Sequence, residues 1–541
     1  MPPAPPYSAH VDTFTRDHLP PPHELPEFLF EGPELQFPDH LNCATELLDR
    51  WVERGAGQRL CVQGHGVRWS YAELQAQANR IARVLVEDLG LVAGNRVLLR
   101  GANSPMLAAC WFAVVKAGGV AVGSMPLLRA RELSTIIDKA QVSHALCDAR
   151  LADELNLARP SCPTLKQVLM FGGAPGAELE TRAAGKAASF DNVDTGAQDT
   201  CLIAFTSGTT GVPKGTMHFH RDVMAACACW PPHVLRAGPD DVFIGSPPLA
   251  FTFGLGGLLL FPLSIGASTV LVEKATPDAL LTAIAQFRAS VCFTAPTSYR
   301  AMAAQVAQHD IGSLRKCVSA GEALPAATRQ LWHAATGIQI IDGIGSTELL
   351  HIFISADEQH ARPGVTGVPV PGYRACILGD DGHELPRGQV GRLAVKGPTG
   401  CRYLDDPRQA NYVRDGWNLT GDAYLVDDDG QFVYQARTDD MIISGGYNIA
   451  GPEVESALLL HPAVAECGVI GQPDEARGMV VKAFVVLRPG FEGDAALVRA
   501  LQDFAKQTIA PYKYPRQIEF RASLPRTETG KLQRFRLREP A

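Results

Sequence analysis

The chain has 541 residues, 46% of them apolar and 20% charged, and a formal net charge of -8 at pH 7. That length exceeds one compact domain and allows a large buried core; the composition excludes wholesale disorder or a fibrous repeat, and the dispersed charge leaves no basic footprint for nucleic acid or an anionic membrane. Thirteen cysteines run from Cys43 to Cys467 with no C-x-x-C pair, an odd count that argues against a full disulfide set and for a reducing, cytoplasmic setting. Cys227 and Cys229 read as buried thiols, since no further Cys or His recurs at zinc-site spacing.

Residues 1–30, opening MPPAPPYSAHVDTF, lack the cationic start and apolar core of a signal peptide and read as a loose, proline-rich arm. Residues 42–55 predict a helix, followed by two short strands around a turn at 64–66. Ser70 and Glu73 then form a capping box, and Leu74, Ala78, Ile81, Leu85 and Leu89 recur at helical spacing until Gly90 ends the run. From there to about residue 400, β-branched runs at 96–99, 202–205, 269–272 and 291–294 alternate with helical patterns such as 277–287. Repeated βα units of this kind imply an α/β fold of mostly parallel sheets flanked by helices.

The uncharged stretch 254–272 is about long enough to span a bilayer. Gly254, Gly256, Gly257, Pro262, Ser264 and Gly266 interrupt it, so a turn, a short helix and a buried strand are predicted instead, and no membrane association. Between 375 and 433 the turns Asp381–Gly382 and Asp429–Gly430 predict antiparallel hairpins, placed in a β subdomain at about 370–437. A helix from Pro452, strands near 465–470 and 480–487, a helix near 494–508 and a strand near 517–520 predict a small α+β domain at 438–541, after a large N-terminal domain at 31–437.

The strongest chemical signal is TSGTTGVPKG, Thr206 to Gly215, directly after an apolar run. Glycines let backbone N–H groups approach an anion, the hydroxyls of Thr206, Ser207, Thr209 and Thr210 add donors, and Lys214 adds positive charge, so the segment reads as a triphosphate-binding loop. Pro213 stands where the G-x-x-x-x-G-K-[ST] loop needs its last glycine, so kinase and GTPase mechanics do not transfer.

Together with that loop, GEALP at 321–325, DGIGSTE at 342–348, TGD at 420–422, RTDDMIISGGYNIAGPEVE at 437–455 and PRTETGK at 525–531 resemble the adenylate-forming superfamily: acyl-CoA synthetases, peptide-synthetase adenylation domains and firefly luciferase. The resemblance implies a mobile C-terminal domain and a two-step reaction, in which ATP and a carboxylic acid give an acyl-adenylate and the acyl group then passes to coenzyme A. It implies that Thr206, Ser207, Gly208, Thr209, Thr210, Gly211, Lys214, Gly321, Glu322, Asp342 and Gly343 bind ATP, with Thr347 on a phosphate and Glu348 on Mg²⁺. Asp422 and Arg437 would hold the ribose, Lys531 would bridge the carboxylate and the α-phosphate, Asp439 would be the hinge, and Ser444, Gly445, Gly446 and Tyr447 would approach the thiol. No tightly bound prosthetic group is implied, and a monomer or homodimer is expected. PRTETGK also resembles the segment that bacterial lysine acetyltransferases modify, which would silence Lys531 by removing its charge.

Within the superfamily, DGIGSTELLHIF and FTFGLGG look most like benzoate-CoA ligases, and GGYNIAGPEVE like 2-aminobenzoate-CoA ligases. Carried over by position, the acyl pocket is Thr252, Phe253, Ala320, Gly345 and Ile352, a set suited to a flat ring. No acid occurs between Asp241 and Glu273 to hold an α-ammonium, which disfavours α-amino acids. Ala436 and Ile443 depart from the usual pattern, the second near the thiol-transfer face. The alternatives are a short- or medium-chain aliphatic acyl-CoA synthetase, a luciferase-like oxygenase, an enzyme that loads a carrier protein, and a non-catalytic nucleotide-binding module.

Overall fold

A computed structural model of the chain describes residues 6–64, 66–173, 178–206, 213–444, 447–474, 477–509, 511–526 and 532–539. Two large sheets form the N-terminal part. One has six strands, of which five run parallel: Gln167–Phe171, His144–Asp148, Arg96–Arg100, Val120–Ser124 and Thr200–Thr206, closed by the antiparallel strand Lys214–Phe219. The other has nine strands, with a parallel centre that includes Val242–Gly245, Val291–Thr294, Lys316–Ser319 and Ile340–Gly345.

Local sequence explains the elements around these sheets. Ser70 accepts from the Glu73 N–H, and Glu73 accepts from the Ser70 N–H at 2.7 Å, so both ends of the capping box start the helix Tyr71–Arg83. Gly90, at φ +69°, stands in the left-handed region just past the helical run. The helix Pro105–Lys116 is buried almost throughout, and Lys116, at its end, is paired with Asp49 at 2.5 Å rather than left as a lone buried charge. The stretch 254–272 is three short helical turns and the strand Ser268–Val270, nearly all buried, and no helix among the described residues is long and apolar enough to cross a membrane.

The loose N-terminal arm is a correction: residues 7–30 are fastened to the body. Tyr7 stacks on His40 with centroids 4.0 Å apart, Ser8 and the Ala9 N–H bind Asp199, and Asp12 is paired with Arg96, whose guanidinium lies over Phe14. Proline excludes a long helix there but not an extended strap, and the short helix Phe14–Asp17 lies within it.

The hairpins read from Asp-Gly turns are present: Arg374–Leu378 pairs with Gly391–Lys396, and Trp417–Val426 with Phe432–Arg437, all antiparallel. Past the short 3-10 turn Thr438–Asp440, a separate apolar core gathers Ile442, Ile449, Val454, Leu458, Val469 and Val481 between helices and a five-stranded sheet. The thirteen cysteines are all buried and unbridged.

Candidate active site

The phosphate loop does not lead from a strand into a helix. Thr206 and Lys214 are cross-strand partners, as are Phe205 and Gly215, so the loop closes an antiparallel hairpin at the end of the parallel sheet. Ser207, Gly208, Thr209, Thr210 and Gly211 lie outside the described residues; the hairpin base is described, and the buried Thr206 Oγ1 has no hydrogen-bond partner among the described residues. Beside the base, Lys214 Nζ is 3.5 Å from Glu348 Oε1 and 2.8 Å from the Tyr403 hydroxyl, which donates to Glu348 Oε1 at 2.5 Å.

Glu348 belongs to the segment that follows the strand Ile340–Gly345 of the other sheet, and a buried knot ties this segment to the hairpin. His218, on the hairpin's second strand, lies 2.8 Å through Nε2 from the Thr347 carbonyl; a carbonyl only accepts, so Nε2 carries the proton. Burial pushes the imidazole down to about 4, so it is neutral. Next to it, Arg402 donates to the buried Asp222 at 2.6 Å.

Asp342 pairs across the sheet with Ser319, one residue before Ala320 and two before Gly321. Its Oδ1 is buried without a hydrogen-bond partner among the described residues, and burial, partly offset by Arg329, pushes its carboxyl up to about 6. Asp422 and Arg437 are direct cross-strand partners, 3.1 Å apart. Burial raises the Asp422 carboxyl and the guanidinium opposes that rise. Between Thr420 and Asp422, Gly421 has φ +76°, and a Cβ there would stand 2.7 Å from the Arg437 side chain.

The acyl-pocket candidates gather near the C-terminal ends of adjacent parallel strands, where open α/β sheets bind ligands. Phe253 packs against Phe293 and His351, with both centroid separations 5.7 Å. A Cβ on Gly345 would lie 2.7 Å from the His351 carbonyl, and one on Gly343 would lie 2.7 Å from Ile352, so both positions need glycine. Thr252 borders a partly open apolar cavity of about 20 Å³ with Leu99, Trp111, Leu202 and Phe251. Ala320 is buried just past the strand Lys316–Ser319.

Lys531, Gly445 and Gly446 lie outside the described residues, and of Asp439 and Tyr447 only the backbone is described. Ser444 is buried in the C-terminal sheet and pairs with Tyr447 in strand register. The residues flanking 527–531, Arg526 and Leu532, form an antiparallel bridge, and Arg526 Nη1 lies 3.6 Å from Glu322 Oε1 and bonds Glu466 at 2.8 Å. The C-terminal part therefore touches the GEALP segment directly.

Sequence reading missed Tyr403, His218, His351 and Arg526. Each is a residue type with an abundant structural role, and only its contacts single it out. His351 was the most accessible to inference, since it sits inside the DGIGSTELLHIF run. Its Nε2 lies 3.4 Å from the Phe253 carbonyl, Nδ1 is buried without a hydrogen-bond partner among the described residues, and burial pushes the ring down to about 3.

Residues 48–403 match the family described as AMP-binding enzyme, and residues 453–531 match the AMP-binding enzyme C-terminal domain. The chain is 36% identical over 512 residues to a benzoate–CoA ligase of Thauera aromatica, covering 94% of this chain and 97% of that one. A crystal structure of the anthranilate CoA ligase AuaEII in complex with anthranoyl-AMP is similar at a TM-score of 0.90 and 35% identity, covering 94% of this chain and 98% of that one. A benzoate CoA ligase from Burkholderia xenovorans LB400 is similar at a TM-score of 0.84 and 31% identity, covering 92% of this chain and 100% of that one.

Proposed function

The chain belongs to the AMP-binding enzyme family and is an ATP-dependent, AMP-forming acyl-CoA ligase, and from that premise we propose that its acid is an aromatic carboxylate of the benzoate or 2-aminobenzoate type. The observation that carries this reading is the wall made by Phe253, Phe293 and His351, together with Gly343 and Gly345, where no side chain fits. A rigid aromatic face with small residues beside it suits a flat ring, whereas a flexible chain needs an open tunnel. Likeness to a benzoate ligase and to a ligase crystallised with anthranoyl-AMP supports the same choice. His351 adds a preference within the class: its proton sits on Nε2 toward the Phe253 carbonyl, so bare Nδ1 is a buried acceptor that suits a ring N–H donor.

In this reading an oxygen of the acid bonds to the α-phosphorus of ATP and pyrophosphate leaves; the thiol of coenzyme A then attacks the acyl carbon and AMP leaves. Glu348 offers a buried carboxylate oxygen of the kind a hard divalent cation takes, so it would hold Mg²⁺, which supplies charge neutralisation on the triphosphate. Lys214 adds positive charge beside it, Asp422 accepts the ribose hydroxyls with Arg437 at its side, and Lys531 draws the carboxylate and the α-phosphate together. Rotation near Asp439 exchanges the Lys531 segment for that of Ser444 and Tyr447.

The test is thioester formation with ATP, Mg²⁺ and coenzyme A on benzoate, 2-aminobenzoate, hexanoate and an α-amino acid in parallel, following AMP and pyrophosphate. An aromatic acid should exceed hexanoate in kcat/KM by about tenfold or more, which corresponds to about 1.4 kcal/mol of extra transition-state binding. A preference for hexanoate over both aromatic acids overturns the aromatic assignment.

A further inference from the structure

Tyr403 is nearly inaccessible, at 1% exposure, and its backbone is fixed from several sides. It forms an isolated antiparallel bridge with Thr216, and its N–H donates to Gln409 Oε1 at 2.9 Å. The flanking Leu404 N–H and Arg402 carbonyl bond Gly215 and Met217 of the phosphate-loop hairpin, each at 2.8 Å. The phenol is thus carried on a rail along that hairpin. Its oxygen accepts from Lys214 Nζ at 2.8 Å and its proton goes to Glu348 Oε1 at 2.5 Å, while Lys214 and Glu348 themselves stand 3.5 Å apart. Lys214 Nζ also lies 4.8 Å from the Tyr403 ring centroid and 5.9 Å from that of Tyr412.

The hydroxyl accepts from the ammonium and donates to the carboxylate, so the three groups close a hydrogen-bonded triangle whose third side is the direct Lys214–Glu348 ion pair at 3.5 Å. The phenol takes up part of the hydrogen-bonding capacity of each charge, so the pair rests at 3.5 Å rather than at the shorter spacing of a full charge-assisted hydrogen bond.

We propose that Tyr403 is a positioning residue for adenylation: its hydroxyl orients Lys214 and Glu348 from one point and loosens their ion pair, so that the lysine turns to the phosphates and the carboxylate to the cation. The inference rests on the roles given to Lys214 and Glu348 above. Tyr403→Phe keeps the ring and its packing and removes only the bridge. Losing a hydrogen bond to charged partners should weaken Mg²⁺·ATP binding by about tenfold to a hundredfold. AMP, which has no triphosphate, should bind as in the unaltered enzyme, and thioester formation from supplied acyl-adenylate should be unchanged.

Calorimetric titration of Mg²⁺ with a non-hydrolysable ATP analogue, and separately of AMP, gives the readout for Tyr403→Phe and Glu348→Gln. Selective loss of analogue binding in both variants is the result expected. Equal loss of analogue and AMP in Tyr403→Phe reports general damage and overturns the proposal, as does unchanged analogue binding. If Glu348→Gln weakens analogue binding and Tyr403→Phe does not, the cation-site reading stands and the role of Tyr403 fails; if Glu348→Gln has no effect, the cation-site reading itself fails.

Discussion

Single side chains in the candidate site carry their function through burial and pairing more than through residue type. Asp342 is the clearest case, with a carboxyl pushed from 3.8 up to about 6 by burial. A carboxyl whose folded-state pKa lies above its unfolded value is protonated in both states at low pH; between the two values the unfolded chain ionises while the folded carboxyl keeps its proton, so stability falls with pH across that window and the full cost is reached above the folded value. Its contribution is therefore destabilising above about pH 6 and absent below about pH 4. Asp342→Asn should raise the melting temperature at pH 8, and the gain should disappear by pH 4; a gain of equal size at both pH values would mean that ionisation is not its cause. Asp422→Asn should weaken ATP binding by roughly tenfold or more, since an amide accepts one ribose hydroxyl less strongly than a carboxylate accepts two. Equilibrium dialysis with ATP checks this, and unchanged affinity would take the ribose role from Asp422. The DGIGSTE and TGD runs made both aspartates legible in the sequence, but not the shifted pKa, which depends on what surrounds the carboxyl in space.

At the scale of elements, the agreement follows from local rules. The capping box at Ser70 and Glu73, the helix Pro277–Phe287, the strand Val291–Thr294 and the Asp-Gly hairpins are encoded by residues within a few positions of one another. The phosphate-loop hairpin was not legible in the same way, because the register Thr206 to Lys214 is a pairing choice that a glycine-rich loop does not announce. Helical turns at 252–260 carry another hidden constraint. A Cβ on Gly256 would stand 2.3 Å from His351 Cδ2, so Gly256→Ala must push the imidazole aside. This should raise the KM for the aromatic acid by about tenfold, the scale of a lost pocket contact, while the KM for ATP stays within twofold or so. Steady-state kinetics with each substrate varied in turn separates the two, and a shared rise would place Gly256 in the general packing instead.

For the whole molecule, the contact between Arg526 and Glu322 joins the segment next to Lys531 to the GEALP segment of the N-terminal part. If that arrangement serves adenylation, Arg526→Ala should slow acyl-adenylate formation by severalfold and Lys531→Ala should slow it by 10²-fold or more, in the range of electrostatic catalytic groups, with thioester formation from supplied adenylate spared in both. Stopped-flow measurement of the two half-reactions decides this, and equal loss in both steps would remove the assignment. Asp439→Pro should impair one half-reaction far more than the other by restricting rotation. The sequence by itself determined the α/β class, the order of motifs and the identity of most nucleotide-site candidates, because turn chemistry, helical periodicity and phosphate-loop composition are short-range. Only the tertiary structure decided that 7–30 is a strap, that Tyr403 bonds both Lys214 and Glu348, and that His351 completes an aromatic wall with Phe253 and Phe293. Those contacts join residues tens to hundreds of positions apart, and the energies that select them, burial of charge and close packing of rings, are set by the surroundings the whole chain creates.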